Sequence, residues 1–178
     1  MVRRRGSRSI GSDSPRERAA AASAGPPRPL DVAVRLLARA PRSIAEIATQ
    51  LGRRRFASEA IDATIAALRE RGYLDDAALA HRRAEDLLLR RGHGRLRVAY
   101  ELTRRGVAAS VIEDALATVM EGRRDAEFAR LALCRKFGHD SRDRLKDASA
   151  RARAYRYLVG RGHPPEAVIE VLGDDDSR

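Results

Sequence analysis

The sequence predicts an all-α fold: tandem repeats of three-helix units forming an elongated, curved molecule. Three observations carry that prediction. The apolar content comes mostly from Leu, Ala, Val and Ile, with 4% aromatics and no Trp, which suits helix-on-helix packing and suits sheet pairing poorly. Three segments align without gaps: Leu51-Gly-Arg-Arg-Arg-Phe56, Leu102-Thr-Arg-Arg-Gly-Val107 and Leu158-Val-Gly-Arg-Gly-His163. Their leading leucines stand 51 and then 56 residues apart, which is the signature of an internal repeat. Around each leading Leu the apolar residues keep fixed steps. Ile47, Val98 and Ala154 lie four before it; Ile61, Ile112 and Val168 lie ten after it; Ile65, Leu116 and Leu172 lie four further on. Each unit therefore reads as a helix, a short basic turn and a second helix sharing one buried face, with a further apolar helix upstream.

Residues 1–29 read as a disordered basic tail. Arg3, Arg4, Arg5, Arg8, Arg16, Arg18 and Arg28 face only Asp13 and Glu17, amid Ser, Gly, Pro and an Ala run, and nothing there buries a core. The first unit spans 30–74. It opens with a helix near 31–39, and Ser43-Ile-Ala-Glu46 reads as a capping box for the next. Arg55 stands where the other units have Gly, so this turn is expected to differ from theirs. The second unit spans 75–120. Asp75 or Asp76 caps a helix over 77–90, and Gly106 supplies a left-handed cap between two helices. Ser110 and Glu113 have capping spacing but fall inside a first turn. The third unit spans 121–173. A helix covers 124–136, and the polar stretch 138–150 reads as a loop leading into a helix that reaches Val159. Gly162 repeats the cap, and Pro164 and Pro165 suit the first turn of the last helix. Residues 174–178, with Asp174-Asp175-Asp176, read as a frayed acidic end.

The net charge of +11 comes overwhelmingly from Arg, and an excess of this size predicts attraction to polyanions. Other chemistry finds little support. Cys134 is the lone cysteine and lies on an apolar stretch, so it reads as packing in a reducing, cytoplasmic setting. His81, His93, His139 and His163 lack metal-ligand spacing. Asp75-Asp76, Glu85-Asp86 and Glu113-Asp114 are adjacent pairs that do not converge on one point of a helix, and they read as caps or surface partners of Arg. Gly92-His-Gly94 and Gly160-Arg-Gly162 lack the strand and the Lys of a phosphate-binding loop. No apolar run is long enough for a membrane span, and no signal peptide is read. The chain is accordingly read as a non-enzymatic monomer without cofactor, metal or catalytic residue.

The basic clusters recur at equivalent turns, and stacked repeats would line those turns along one edge. Arg54, Arg91, Arg95, Arg97, Arg105, Lys136 and Arg161 form the candidate binding set, with Arg97 and Glu101 also spaced to pair with each other. Aromatic residues do not interleave these clusters as in RRM-like or OB-like strand readers. A helix-turn-helix reader would explain basic helix pairs, but here the pattern recurs three times.

Several ordered motifs resemble the bacterial RecX family, modulators of the RecA recombinase. They are Arg42-Ser43-Ile-Ala-Glu46-Ile47, Gly72-Tyr73-Leu74-Asp75-Asp76, the set Gly94, Arg97, Val98, Glu101, Leu102 and Gly106, and Leu158-Val-Gly-Arg161-Gly162-His163. Leu79 and His163 stand where Phe is commoner in the family, and the His predicts a weaker packing contact. The resemblance covers roughly 30–172. It implies tandem three-helix repeats and binding along the helical groove of the RecA–DNA filament. It also implies inhibition of ATP hydrolysis, strand exchange and coprotease action, with single- or double-stranded DNA met directly or through the filament. Two other readings remain: a direct DNA-binding regulatory or architectural protein, and a helical-repeat adaptor that binds protein alone.

Overall fold

A computed structural model describes residues 27–138 and 147–173. The expectations for the tail before 27, for most of the 138–150 loop and for the acidic end from 174 lie outside those residues. The described chain is helical throughout, in the order α1 (Pro29–Arg39), α2 (Ile44–Gly52), α3 (Ser58–Glu70), α4 (Asp76–Glu85), α5 (Arg95–Arg104), α6 (Ala109–Met120), α7 (Asp125–Phe137), α8 (Ala148–Gly160) and α9 (Pro165–Gly173). A π-helical turn, Asp86–Arg90, extends α4, and there the Arg91 amide reaches back to the Asp86 carbonyl at 3.0 Å. This wider turn accompanies the burial of both adjacent leucines, Leu87 and Leu88, each 1% exposed.

The repeat positions behave as one buried face should. Ile47, Val98 and Ala154 are fully buried, as are Leu51, Leu102 and Leu158. Buried side chains gather in three clusters. One joins α1–α3 through Val32, Ile47, Leu51, Leu68 and Leu74. The largest joins α4–α6 through Leu79, Leu87, Val98, Leu102 and Ile112, and takes Phe128 from α7. The last joins α7–α9 through Ala129, Leu133, Ala154, Leu158 and Val168.

Local rules set the helix boundaries. The Ser43 hydroxyl accepts from the Glu46 amide, and the Glu46 carboxylate accepts from the Ser43 amide at 2.8 Å, completing the capping box. The adjacent acids Asp75 and Asp76 cap two different helices. Asp75 accepts from Ala78 at the start of α4, and Asp76 accepts from the Ile44 amide at the start of α2, 3.0 Å away. The turns after α5 and α8 close alike. Val107 bonds back to Leu102 and His163 to Leu158, with Gly106 at φ +75° and Gly162 at φ +82°. The turn after α2 was expected to differ. It does, closing through Arg54-to-Leu51 and Arg55-to-Gly52 bonds without the Phe56-to-Leu51 bond its equivalents make, and Arg55 itself takes the left-handed conformation at φ 61°, a strain on the order of 1–2 kcal/mol for a residue with a Cβ.

Candidate partner-binding surface

In the second and third units, the turn between the last two helices docks onto the preceding unit. The Arg105 carbonyl accepts from the Ser43 hydroxyl, while its guanidinium grips Glu46 through two bonds of 3.1 and 2.8 Å and donates to the Pro41 carbonyl at 2.8 Å. A Cβ on Gly106 would lie 2.5 Å from the Ala45 Cβ. One unit on, the same geometry recurs with backbone partners. The Gly94 amide donates to the Arg161 carbonyl at 3.0 Å and the Leu96 amide to the Gly162 carbonyl at 3.1 Å. Arg161 Nε donates to the Gly92 carbonyl at 3.0 Å, and its Nη2 donates to the Arg91 carbonyl. Ser43 and Gly94 are equivalent positions of the repeat, as are Arg105 and Arg161, so one docking mode is used twice.

Electrostatics follow from this docking. Burial raises the Glu46 pKa, but the bonds from Arg105 and Ser43 and the charges of Arg105 and Arg42 outweigh it and hold the group below its ordinary value. Burial acts likewise on Glu101, and is outweighed by bonds from Arg83 and Arg97. On Asp125 burial wins, raising its pKa despite Arg95 Nε at 3.0 Å.

His163 was expected to weaken packing in a slot where Phe is commoner. The slot is closed, leaving His163 1% exposed, and the ring recovers a polar contact as Nε2 donates to the Gly92 carbonyl at 3.3 Å. Its Nδ1 is buried and has no hydrogen-bond partner. Burial pushes the His163 pKa below its ordinary 6.5; Arg161 and His93 push the same way and the Gly92 carbonyl opposes them. Burial first, then Arg161, also depresses the neighbouring His93, whose Nδ1 faces the Arg161 carbonyl. A depressed histidine takes up protons more readily in the unfolded chain, so its stability is complete above 6.5 and declines as pH falls from there toward the folded-state value. The melting temperature is therefore expected to drop between pH 7.5 and 5.5, and His163→Phe should flatten that slope. An unchanged slope in the variant would remove His163 from the account.

Each of the seven arginine and lysine candidates has an intramolecular partner. Arg54 donates to the Gln50 carbonyl, Arg91 pairs with Asp86, Arg95 with Asp125, and Arg97 with Glu101. Arg105 and Arg161 form the docking clasps described above, and Lys136 lies over the Tyr157 ring at 6.0 Å. Two of the three turns thus spend one arginine each, Arg105 and Arg161, on contact with the preceding unit, while Arg104 beside the first of them stays exposed. Cys134 is half-buried on α7.

Sequence reasoning missed a groove of about 650 Å³ where α1 meets the start of α4. Val34, Leu37 and Leu79 line its apolar side and Arg42, Arg71 and Arg82 its basic side. Tyr73 lines it too and is 65% exposed, as is Val34 at 47%, so Tyr73 is not the core anchor its size suggests. Arg42 Nε is buried there without a hydrogen-bond partner, and Arg71 and Arg82 have no carboxylate partner among the described residues. The available signal was Tyr73 itself, a large ring placed directly after the glycine that ends α3.

The comparisons with known proteins match this arrangement along its length. The family model described as "RecX, first three-helix domain" matches residues 30–68, and "RecX, second three-helix domain" matches 75–116. The regulatory protein RecX of Vibrio parahaemolyticus is 31% identical over 146 residues, covering 82% of this chain and 90% of that protein. The chain belongs to the RecX family. A Thermus thermophilus RecX is 36% identical over 144 residues, with coverage of 80% and 88%. The crystal structure of RecX from Lactobacillus salivarius superposes with a TM-score of 0.64 at 15% identity, covering 83% of this chain and 94% of that one, a likeness of fold. The RecX-like motif is now physically legible. Gly94 and Gly106 permit close approach of neighbouring units, Val98 and Leu102 fill the core, and Glu101 ties Arg83 to Arg97.

Proposed function

We propose that this RecX-family chain is a non-enzymatic negative modulator of the RecA recombinase. It binds the RecA–DNA filament as a cytoplasmic monomer and inhibits ATP hydrolysis, strand exchange and coprotease action. Three units, 30–74, 75–120 and 121–173, act together as one binding body in this reading. The observation that carries it is the groove at the junction of the first two units. Exposed Tyr73 and Val34 supply apolar anchors, and Arg42, Arg71 and Arg82 supply cations. An anchor in a pocket with a charged rim is how protein interfaces combine affinity with fast encounter. Membership of the RecX family supports a recombinase as the partner.

The test is ATP hydrolysis by the cognate RecA recombinase on single-stranded DNA, titrated with the full chain at near-physiological salt. Inhibition is expected well below the concentration that coats the free DNA. If hydrolysis falls only as the DNA becomes saturated, competition for DNA replaces filament binding. The net charge of +11 favours that second reading, a direct DNA-binding protein.

A further inference from the structure

The groove does not account for the other large exposed aromatic of the second unit. Tyr100, on α5, is 55% exposed, and Leu96, one turn earlier on the same face, is 48% exposed. The opposite face of α5 is the buried one, with Val98 and Leu102 fully inaccessible. Packing therefore does not require a ring at position 100. Nor does the repeat, since the equivalent positions hold Thr49 and Arg156.

The surroundings of the ring are specific, and they correct the expectation that no aromatic residue interleaves the basic clusters. Arg97 and Arg104, three before and four after it, place their guanidinium carbons 5.9 and 5.8 Å from the ring centroid. Close stacking contact comes at about 3.5–4 Å. Both guanidiniums lie over the ring within cation–π range, spread along roughly 10 Å of helix, so a stacked base takes the place of one of them over a ring face and leaves it free to meet a phosphate. The carboxylate beside this group is Glu101. It is already held by Arg83 at 2.5 Å and by Arg97 at 3.1 Å, so two guanidiniums share one acid. Arg104 has no carboxylate partner among the described residues. A solvent-facing ring set in a net positive field matches a flat π system joined to an anion.

We propose that this face of α5 stacks an unpaired nucleobase on Tyr100 while Arg97 and Arg104 meet the flanking phosphates. The occupant is single-stranded nucleic acid. In a duplex each base is already stacked on both sides, whereas an unpaired base has a free face to offer. The site goes beyond the filament reading and does not depend on it.

The test measures binding of a labelled oligothymidylate by fluorescence anisotropy with the full chain, at fixed salt and without recombinase. One base–aromatic stack contributes about 1–3 kcal/mol, so Tyr100→Ala should weaken binding by about 5- to 150-fold, and Tyr100→Phe should preserve it. A strand of equal length with abasic sites should bind weakly, and for it Tyr100→Ala should change nothing further. Arg104→Ala should weaken both strands alike and reduce the salt slope by about one phosphate contact. Because the chain has no Trp, Tyr100→Trp places a single reporter at the site, and the base-bearing strand should quench it more than the abasic one. Affinity within twofold of the parent for Tyr100→Ala overturns the proposal, and so does an equal loss on abasic and base-bearing strands. A defect that emerges only when a recombinase filament is supplied also overturns it, and assigns the face to a protein partner. The filament reading stands or falls separately, on the hydrolysis assay.

Discussion

Gly94→Ala is expected to release the third unit from the second. Gly94 has φ −86°, so alanine meets no backbone penalty there and the whole effect is steric. The added Cβ would lie 2.2 Å from the Gly162 carbonyl oxygen and 2.3 Å from the His163 nitrogen. Both are backbone atoms, and no rotamer change relieves the clash. Relief requires moving the turn, which breaks the Gly94-to-Arg161 and Leu96-to-Gly162 bonds and opens the cover over His163. Overpacking alone costs about 1–3 kcal/mol, and each lost hydrogen bond adds about 1, so a loss of roughly 3 kcal/mol or more is expected. Urea unfolding gives the total. Amide exchange at Leu96, Gly162 and His163 gives the location, and protection around Leu51 and Leu68 should survive. Gly160→Ala is the control: nothing lies within 4 Å of its added Cβ, and alanine is the better helix residue. A Gly94→Ala chain as stable as the Gly160→Ala chain would refute the docking account.

The parts of the molecule that were readable in advance obey local rules. The capping box at Ser43 needs residues three apart, and the buried stripe through Leu51, Leu102 and Leu158 needs only helical periodicity. Gly106 and Gly162 follow from the backbone that a helix stop demands. The unread parts are made by residues distant in sequence. Nothing near Glu46 announces Arg105, 59 positions away, and nothing near Asp76 announces that it caps Ile44 in the preceding unit. Two of the recurrent turn arginines, Arg105 and Arg161, share a docking task, whereas Arg54 donates to its own helix, so recurrence at those two positions pointed to the joints between units. The residues proposed to face a partner follow the opposite logic. Tyr73 and Tyr100 stand out as large rings left 65% and 55% exposed, outside the buried core.

That logic separates two kinds of arginine, and charge reversal distinguishes them. Arg71→Glu with Arg82→Glu is expected to leave stability within about 0.5 kcal/mol of the parent, because both side chains are exposed and lack a carboxylate partner among the described residues. The same pair should raise the concentration for half-inhibition of recombinase ATP hydrolysis by at least about tenfold, since a like charge facing an acidic partner costs several kcal/mol. Tyr73→Ala, which removes the exposed anchor and no core contact, should act in the same direction, by about tenfold or more if the ring is a hot spot. Arg105→Ala should show the reverse profile, a lower melting temperature from the loss of its grip on Glu46 and Pro41 and a change in inhibition no larger than the fraction unfolded explains. Hydrolysis assays and thermal melts on the same preparations decide the matter. Undiminished inhibition by both the double reversal and Tyr73→Ala would exclude the groove as the filament contact. Weakened inhibition in melts indistinguishable from the parent would place the recombinase contact at the junction of the first two units, where the exposed ring and the uncommitted guanidiniums already converge.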